Sequence, residues 1–319
     1  MDYSYDKEEK RVGYGSNFNN IYIDRNTNTI KKVCFNDYGM KKITYEKKFY
    51  EFLINHTIDF PVPKIHCFLE NGYIMDYLYD YTPLYKIFTN SEKEKQNEII
   101  IKITKKLKNL HDSNKIFVSK DEYYKHLNIE INSKLLQRYE VIKSLLQKYD
   151  YIKTVNMIEI IPFHKLVDLI QKEIYKIVND KSEYSFVPLH GDCQFNNILY
   201  NESSGQLCFI DPRGYYGESE IFGIAEYDYA KVIFALSGYD EFDNRSVDEL
   251  MIDGNNISIN IDNLLHMPLV SSSSIESNKL GYLLMLSIWL GNSHCFINNE
   301  NKAVYSYFIG SYLGSKFFT

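Results

Sequence analysis

Three polar residues set into a hydrophobic frame constrain this chain more than any other stretch. In VPLHGDCQFNNILYNESSGQLCFIDPRG, residues 187–214, His190-Gly191-Asp192 is followed by Asn197, and Asp211 closes a short apolar run. Phe186, Val187 and Leu189 lead in, and Ile198-Leu199-Tyr200 lead out. Asn201, Ser203, Ser204 and Gly205 are turn residues, and Leu207-Cys208-Phe209-Ile210 predicts a second strand ending on Asp211. The stretch therefore reads as a loop, a strand, a tight turn and a strand. Isolated turn residues and a core histidine would not account for the joint spacing.

Protein kinases carry H-R-D-x-x-x-x-N and then D-F-G. Here Gly191 replaces the arginine, and the segment resembles the aminoglycoside phosphotransferase and choline kinase family. The resemblance implies an α+β, two-lobed, protein-kinase-like fold with a small antiparallel-sheet N-lobe and a large, mainly helical C-lobe. Residues 1–78 would form the nucleotide-binding lobe, ending in the hinge, and 79–319 the catalytic and substrate-binding lobe. It implies transfer of the γ-phosphoryl of ATP or GTP to an alcohol of a small-molecule acceptor, with Mg²⁺. Phosphoryl transfer needs positioning and charge neutralisation more than covalent help. Asp192 is the candidate to accept the proton of the attacking hydroxyl. Asn197 and Asp211 are the candidate oxygen ligands for Mg²⁺, which prefers hard oxygen donors. His190 is expected to hold the loop by packing and hydrogen bonding.

Upstream, Gly13, Gly15 and Ser16 form a glycine-containing turn suited to covering phosphates, although a plain hairpin explains them equally well. Thr29-Ile30-Lys31-Lys32-Val33 matches the strand V-A-I-K pattern. Lys31, with Thr29 on its face of the strand, fits best as the phosphate lysine, with Lys32 as the alternative register. Phe49, Phe52 and Leu53 fall at helical spacing, and Glu46 is the candidate partner that holds the lysine, with Glu51 in reserve. Pro61 and Pro63 end that helix. Gly72 to Leu78 predicts the strand entering the hinge, where backbone groups near Asp76, Tyr77 and Leu78 would meet the base.

Ser91 and Glu94 form a capping box for a helix whose apolar stripe is Ile99, Ile100, Ile103, Leu107 and Leu110. His111, at its end, is expected to be structural. Residues 121–147 and 166–178 repeat the helical pattern, and 148–165 is irregular, a candidate substrate cover. Asp211-Pro212-Arg213-Gly214 departs from the commonest family pattern. It resembles a DPRG-type bacterial subgroup associated with cell-surface precursor metabolism. Arg213 is a candidate ligand for a phosphate or an acidic acceptor, or a structural ion pair. Asp228, in Glu226-Tyr227-Asp228, is expected to cap a helix and support the catalytic loop, with the substrate as the other option. Residues 240–262 are acidic and loop-like, which suits a cationic acceptor or plain solvation. Trp289, in an apolar stretch, predicts a buried helix ahead of an aromatic cage.

The length of 319 residues fits one such fold. The net charge of −6 argues against nucleic acid as a partner. The apolar stretch at Tyr282–Leu290 is too short to span a membrane. The polar start and five scattered cysteines predict a reducing, cytoplasmic setting, and Cys193, beside Asp192, is a candidate site of thiol inhibition. Nothing in the chain fixes the oligomeric state. Choline, ethanolamine, a sugar or an amino-acid-like molecule is the favoured acceptor, an aminoglycoside-type antibiotic the next. A nucleotide-binding pseudokinase that regulates a partner is the non-enzymatic alternative.

Overall fold

The computed structural model describes the backbone of Asp6–Lys7 and residues 18–260 and 279–319 in full. Gly13, Gly15 and Ser16 lie outside the described residues. The chain divides into two compact units, each built from two segments: residues 1–116 with 186–228, and 117–185 with 229–319. This division by packing does not follow the 78/79 boundary drawn from the hinge.

The first unit carries a five-stranded antiparallel sheet. Strands β1 (Asp6–Lys7), β2 (Asn19–Asp24), β3 (Thr29–Cys34), β4 (Ile65–Leu69) and β5 (Gly72–Asp76) are ordered β1-β2-β3-β5-β4. The turn between β2 and β3 is fastened by Asp24, whose Oδ1 accepts from the Asn26 and Thr27 N–H groups. Helix α1 runs from Asp37 to Asn55, and its first turn is capped by Asn36 Oδ1, which accepts from Gly39 N at 2.8 Å. Its buried face is Ile43, Glu46, Phe49, Tyr50 and Leu53. A carboxylate on that apolar stripe requires a partner, and the sheet supplies one.

Helix α2 (Leu84–Phe88) is short, and α3 (Lys93–Asp112) buries Ile99, Ile100, Ile103, Leu107 and Leu110 as the periodicity predicts. Its start differs from expectation. The N-cap residue is Glu92 without a side-chain cap, and Ser91 Oγ instead donates back to Ile87 O. The turn of α2 competes for that hydroxyl, and the Gln96 amide, donating to Phe88 O at 2.7 Å, ties the two helices together.

The Ile198–Asn201 and Gln206–Phe209 strands form the predicted hairpin, with Leu199 opposite Cys208 and Ile198 opposite Phe209. Thr82–Pro83 adds a third strand. Between Leu189 and Ile198 runs the loop carrying Asp192, which ends in a single 3₁₀ turn, Phe195–Asn197.

The second unit is mainly helical, with helices at Lys120–Asn128, Lys134–Gln147, Phe163–Asn179, Lys279–Asn292 and Glu300–Phe318. The irregular stretch 148–165 contributes two short strands that join the Met251–Asp253 and Asn256–Ser258 hairpin in a four-stranded sheet. Part of the acidic 240–262 segment is therefore ordered, and Tyr239–Asn244 is helical. Trp289 is fully buried. Its indole N–H donates to Ser237 Oγ at 2.7 Å, and Phe234, Tyr239 and Phe242 pack on the ring. It is a core residue, and its faces are already covered, which corrects the aromatic-cage option. Among the described residues no helix is long and apolar enough to cross a membrane.

Candidate active site

The sheet register selects Lys32, and the choice of Lys31 is corrected. Lys32 lies opposite Ile21 and Tyr73, whereas Lys31 lies opposite Tyr22 and Ile74. A shift of one residue moves a side chain to the other face of a sheet. On the Lys32 face, Tyr73 is buried and its hydroxyl donates to Glu46 Oε2 at 2.7 Å. Lys32 Nζ donates to the same oxygen at 2.8 Å and to Asp211 Oδ1 at 2.9 Å. Lys32 is 3 % exposed. Burial alone would lower its ammonium pKa, but the flanking Asp211 and Glu46 carboxylates outweigh burial and hold it above the ordinary lysine value. Glu46 is pushed above the ordinary value by burial, against the pull of Lys32. The ammonium is shared by two carboxylates, so it stays charged.

Asp211 joins this group from the end of the Gln206–Phe209 strand. Its φ of +56° places a non-glycine residue in the left-handed region, a costly conformation that clusters at functional sites. The chain then turns back, and Arg213 N donates to His190 O at 2.7 Å. This turn explains the glycine of His190-Gly191-Asp192. Gly191 has φ +78°, and a Cβ there would lie 2.8 Å from Arg213 Cβ. The arginine found at this place in protein kinases cannot be accommodated here. Gly214, with φ +68°, passes so close to Tyr45 that a Cβ would sit 2.2 Å from its carbonyl oxygen.

Asp192 is oriented by Asn197, whose amide nitrogen donates to Asp192 Oδ2 at 2.9 Å and to Asp192 O at 3.0 Å. With that nitrogen engaged, Asn197 turns its Oδ1 to the other side of the amide. His190 is fully buried against Phe49, Phe60 and Phe209. Its Nε2 bonds Ile210 O at 3.0 Å, so that nitrogen carries the proton, and Nδ1 accepts from Asp192 N at 3.3 Å. Burial lowers the His190 pKa below the ordinary histidine value, despite the nearby Asp228 and Asp192 carboxylates. A neutral ring with both nitrogens bonded to backbone is a brace for the loop, as expected.

Asp228 holds the loop from beneath. It is fully buried and accepts from His190 N (3.1 Å), Gly191 N (2.6 Å), Cys193 Sγ (3.4 Å) and His111 Nε2 (3.0 Å). Burial would raise its pKa, but the hydrogen bonds from His111 and from the Gly191 N–H outweigh it and bring it below the usual carboxylate value. Asp228 is the fourth residue of the Ala225–Leu236 helix. Its loop-supporting role is seen, whereas the expected capping role is not, because its oxygens are taken by the loop. His111 is structural through the same contact. Cys193 is buried and bonded to Asp228, which corrects the expectation of an accessible thiol.

Arg213 is held between aromatic rings, 4.2 Å from the Tyr215 centroid and 5.1 Å from that of Tyr227, and it donates to the Tyr227 hydroxyl. At the hinge, Asp76 N donates to Lys64 O and Tyr77 N to Asn28 O. Both N–H groups are consumed within the sheet, while Leu78 N donates to no described group. The Asp76 carboxylate bonds His66 Nε2 at 2.7 Å. Sequence reasoning missed Tyr73 as the second clamp on Glu46; a tyrosine facing a lysine across two strands shows only once the register is known.

No group of three histidine, cysteine or acidic side chains that could hold a metal unaided occurs among the described residues. The donor set nevertheless fits Mg²⁺, which takes one or two carboxylate ligands and completes its shell with water and substrate phosphates. Asp211 and Asn197 carry oxygen donors of the kind that role requires.

An antiparallel sheet with a lysine–glutamate pair, next to a hairpin that presents Asp192, Asn197 and Asp211, defines a protein-kinase-like α+β fold. The choline/ethanolamine kinase family model matches residues 23–216, more than half of the chain. The chain belongs to the choline/ethanolamine kinase family. No curated protein matches it significantly. Among solved structures, a choline kinase from Cryptosporidium parvum aligns with a TM-score of 0.58 at 14% identity, covering 97% of this chain and 87% of that one. A choline kinase from Streptococcus pneumoniae aligns with a TM-score of 0.54 at 15% identity, covering 98% and 93%. The complex of APH(2")-IIa with streptomycin and ATP aligns with a TM-score of 0.51 at 16% identity, covering 93% and 84%. At these identities the likeness is one of fold.

Proposed function

We propose that this chain is a small-molecule kinase that transfers the γ-phosphoryl group of ATP to a hydroxyl of a small acceptor, with Mg²⁺. The observation that carries the reading is the bridge of Lys32 between Glu46 and Asp211, beside an Asp192 already oriented by Asn197. In this reading Lys32, steered by Glu46 and Tyr73, binds nucleotide phosphates, and the Leu78 N–H binds the base. Asp192 orients the acceptor hydroxyl and takes its proton. Asn197 Oδ1 and Asp211 would hold Mg²⁺, which supplies charge neutralisation between the phosphates. The division of labour between a nucleotide-binding segment ending near residue 78 and an acceptor-binding remainder belongs to the same proposal.

Choline and ethanolamine are the favoured acceptors, because the matching family is that of choline/ethanolamine kinases. Arg213 is packed on tyrosines, so its charge is committed to fixing the turn after Asp211 more than to an acidic acceptor. The test is ADP release in the presence of Mg²⁺ against choline, ethanolamine, hexoses, amino sugars and aminoglycosides, with GTP in parallel. Release stimulated by choline or ethanolamine supports the proposal. Stimulation by aminoglycosides alone would replace the acceptor class. Nucleotide binding without stimulated release by any of these would favour a regulatory pseudokinase.

A further inference from the structure

A cleft of about 580 Å³ opens in the first unit; none of Lys32, Glu46, Asp192, Asn197 or Asp211 lines it, and it shares only the hinge residues Asp76 and Leu78 with the proposed nucleotide site. Part of its lining is apolar: Pro61, Pro63 and Leu207, with Tyr81 beside them. The prolines fix the backbone of that wall. The Tyr81 hydroxyl is anchored to Gln206 Oε1 at 3.0 Å.

The rest of the lining is cationic. Lys64 precedes β4, and Lys102, Lys105 and Lys106 project from α3. Positions 102, 105 and 106 fall at i, i+3 and i+4, so these ammonium groups are neighbours on one helix face and repel one another. Lys102 Nζ donates to Gly205 O at 3.1 Å, while Lys64, Lys105 and Lys106 form no ion pair with any described residue. The one carboxylate in the lining, Asp76, is engaged by His66. Four lysines therefore gather around one concavity in a chain of net charge −6. Such an arrangement concentrates a positive potential that an anion would relieve.

We infer that this cleft binds a small phosphorylated molecule. Its phosphate would lie among Lys64, Lys102, Lys105 and Lys106, and its organic body would lie on the Pro61, Leu207 and Tyr81 surface. The volume lies within the range of small-molecule sites, about 300–1,000 Å³. The overall negative charge disfavours an extended polyanion such as nucleic acid. This inference goes beyond the phosphotransfer reading and does not depend on it.

The test is equilibrium dialysis of the full chain in EDTA, with AMP and inorganic phosphate as probes. Three proteins are compared: wild type, the triple variant Lys102→Gln/Lys105→Gln/Lys106→Gln, and Asp211→Asn. Glutamine has a helix propensity close to that of lysine, and melting temperatures check the fold. The single variant Lys64→Gln, outside any helix, repeats the comparison should the triple variant not fold. The expected result is that wild type and Asp211→Asn bind AMP alike and more tightly than phosphate. The triple variant would bind roughly tenfold more weakly, and added salt would weaken binding to the wild type. Three results would overturn the inference: no AMP binding by the wild type at millimolar concentration, equal binding by the lysine variants, or loss in Asp211→Asn alone. Preference for an oligoglutamate peptide over both probes would also overturn it and reassign the cleft to an acidic protein segment.

Discussion

Lys32 Nζ and Tyr73 Oη converge on one oxygen of Glu46, at 2.8 and 2.7 Å. Two donors on one buried carboxylate oxygen fix the rotamer of Glu46, and Glu46 in turn fixes the lysine. Lys31, one residue away, is on the other face of the strand. Lys32→Met should therefore lower kcat/KM by about 100-fold or more, whereas Lys31→Met should stay within a few-fold of wild type. Steady-state kinetics of the two variants decide the register, and equal losses would contradict it.

The four hydrogen bonds accepted by Asp228 make it the main support of the loop. Asp228→Ala would leave the His190 and Gly191 N–H groups buried without acceptors. Each such loss costs about 1–3 kcal/mol, so destabilisation of at least about 2 kcal/mol is expected by urea denaturation. Asp228→Asn keeps one acceptor oxygen and should fall between the two. A variant as stable as wild type would remove this support role.

The lowered pKa of His190 predicts how stability depends on acidity. In the unfolded chain this ring takes up a proton near its ordinary value of about 6.5; in the folded chain it resists protonation. Between those two values the unfolded state binds more protons, so stability is complete above about pH 6.5 and falls as the pH drops below it. The buried part of His294 is lowered by burial and by Arg138, and acts in the same direction. Asp228, also lowered, contributes stability above the ordinary carboxylate range that is lost in stronger acid. Melting temperature should decline from pH 7 to pH 5, and the decline should be shallower in His190→Gln. An unchanged slope in that variant would assign the decline to other groups.

Thiol chemistry separates exposed from buried cysteines. Cys67 is exposed, whereas Cys34, Cys193 and Cys208 are buried, and burial pushes the Cys208 thiol up to about 12. A thiol reagent under native conditions should modify Cys67 first and spare Cys193. Mass spectrometry of peptides from the labelled protein checks this. Early labelling of Cys193 would show that the loop opens.

The hairpin of the candidate site was legible in the sequence because its residues are local. His190, Asp192, Asn197 and Asp211 lie within one loop–strand–turn–strand stretch, and the family resemblance implies that it carries them to one cleft. The helix bearing Glu46 and the stripe of α3 were legible for the same reason, through period and spacing. The lysine that pairs with Glu46 was not, because its facing depends on pairing between β3 and β5, a long-range contact. Lysines 31 and 32 are equivalent until Tyr73 is placed opposite one of them. The second role of Ser91, bonding back to Ile87, depends on a preceding short helix that carries little periodic signal. Trp289 read as core from its apolar neighbours, and the indole bond to Ser237 shows why its faces are unavailable to a cation.

The most direct test of the account compares Asp192→Asn with wild type in two assays: acceptor-stimulated ADP release with Mg²⁺, and equilibrium binding of ATP. Asparagine preserves the shape of the side chain but cannot take the proton of the acceptor hydroxyl. The account predicts that release falls by about 100-fold to 10,000-fold while ATP affinity changes by no more than a few-fold. Undiminished release in Asp192→Asn would contradict Asp192 as the base, and with it the reading of this loop as the centre of phosphoryl transfer.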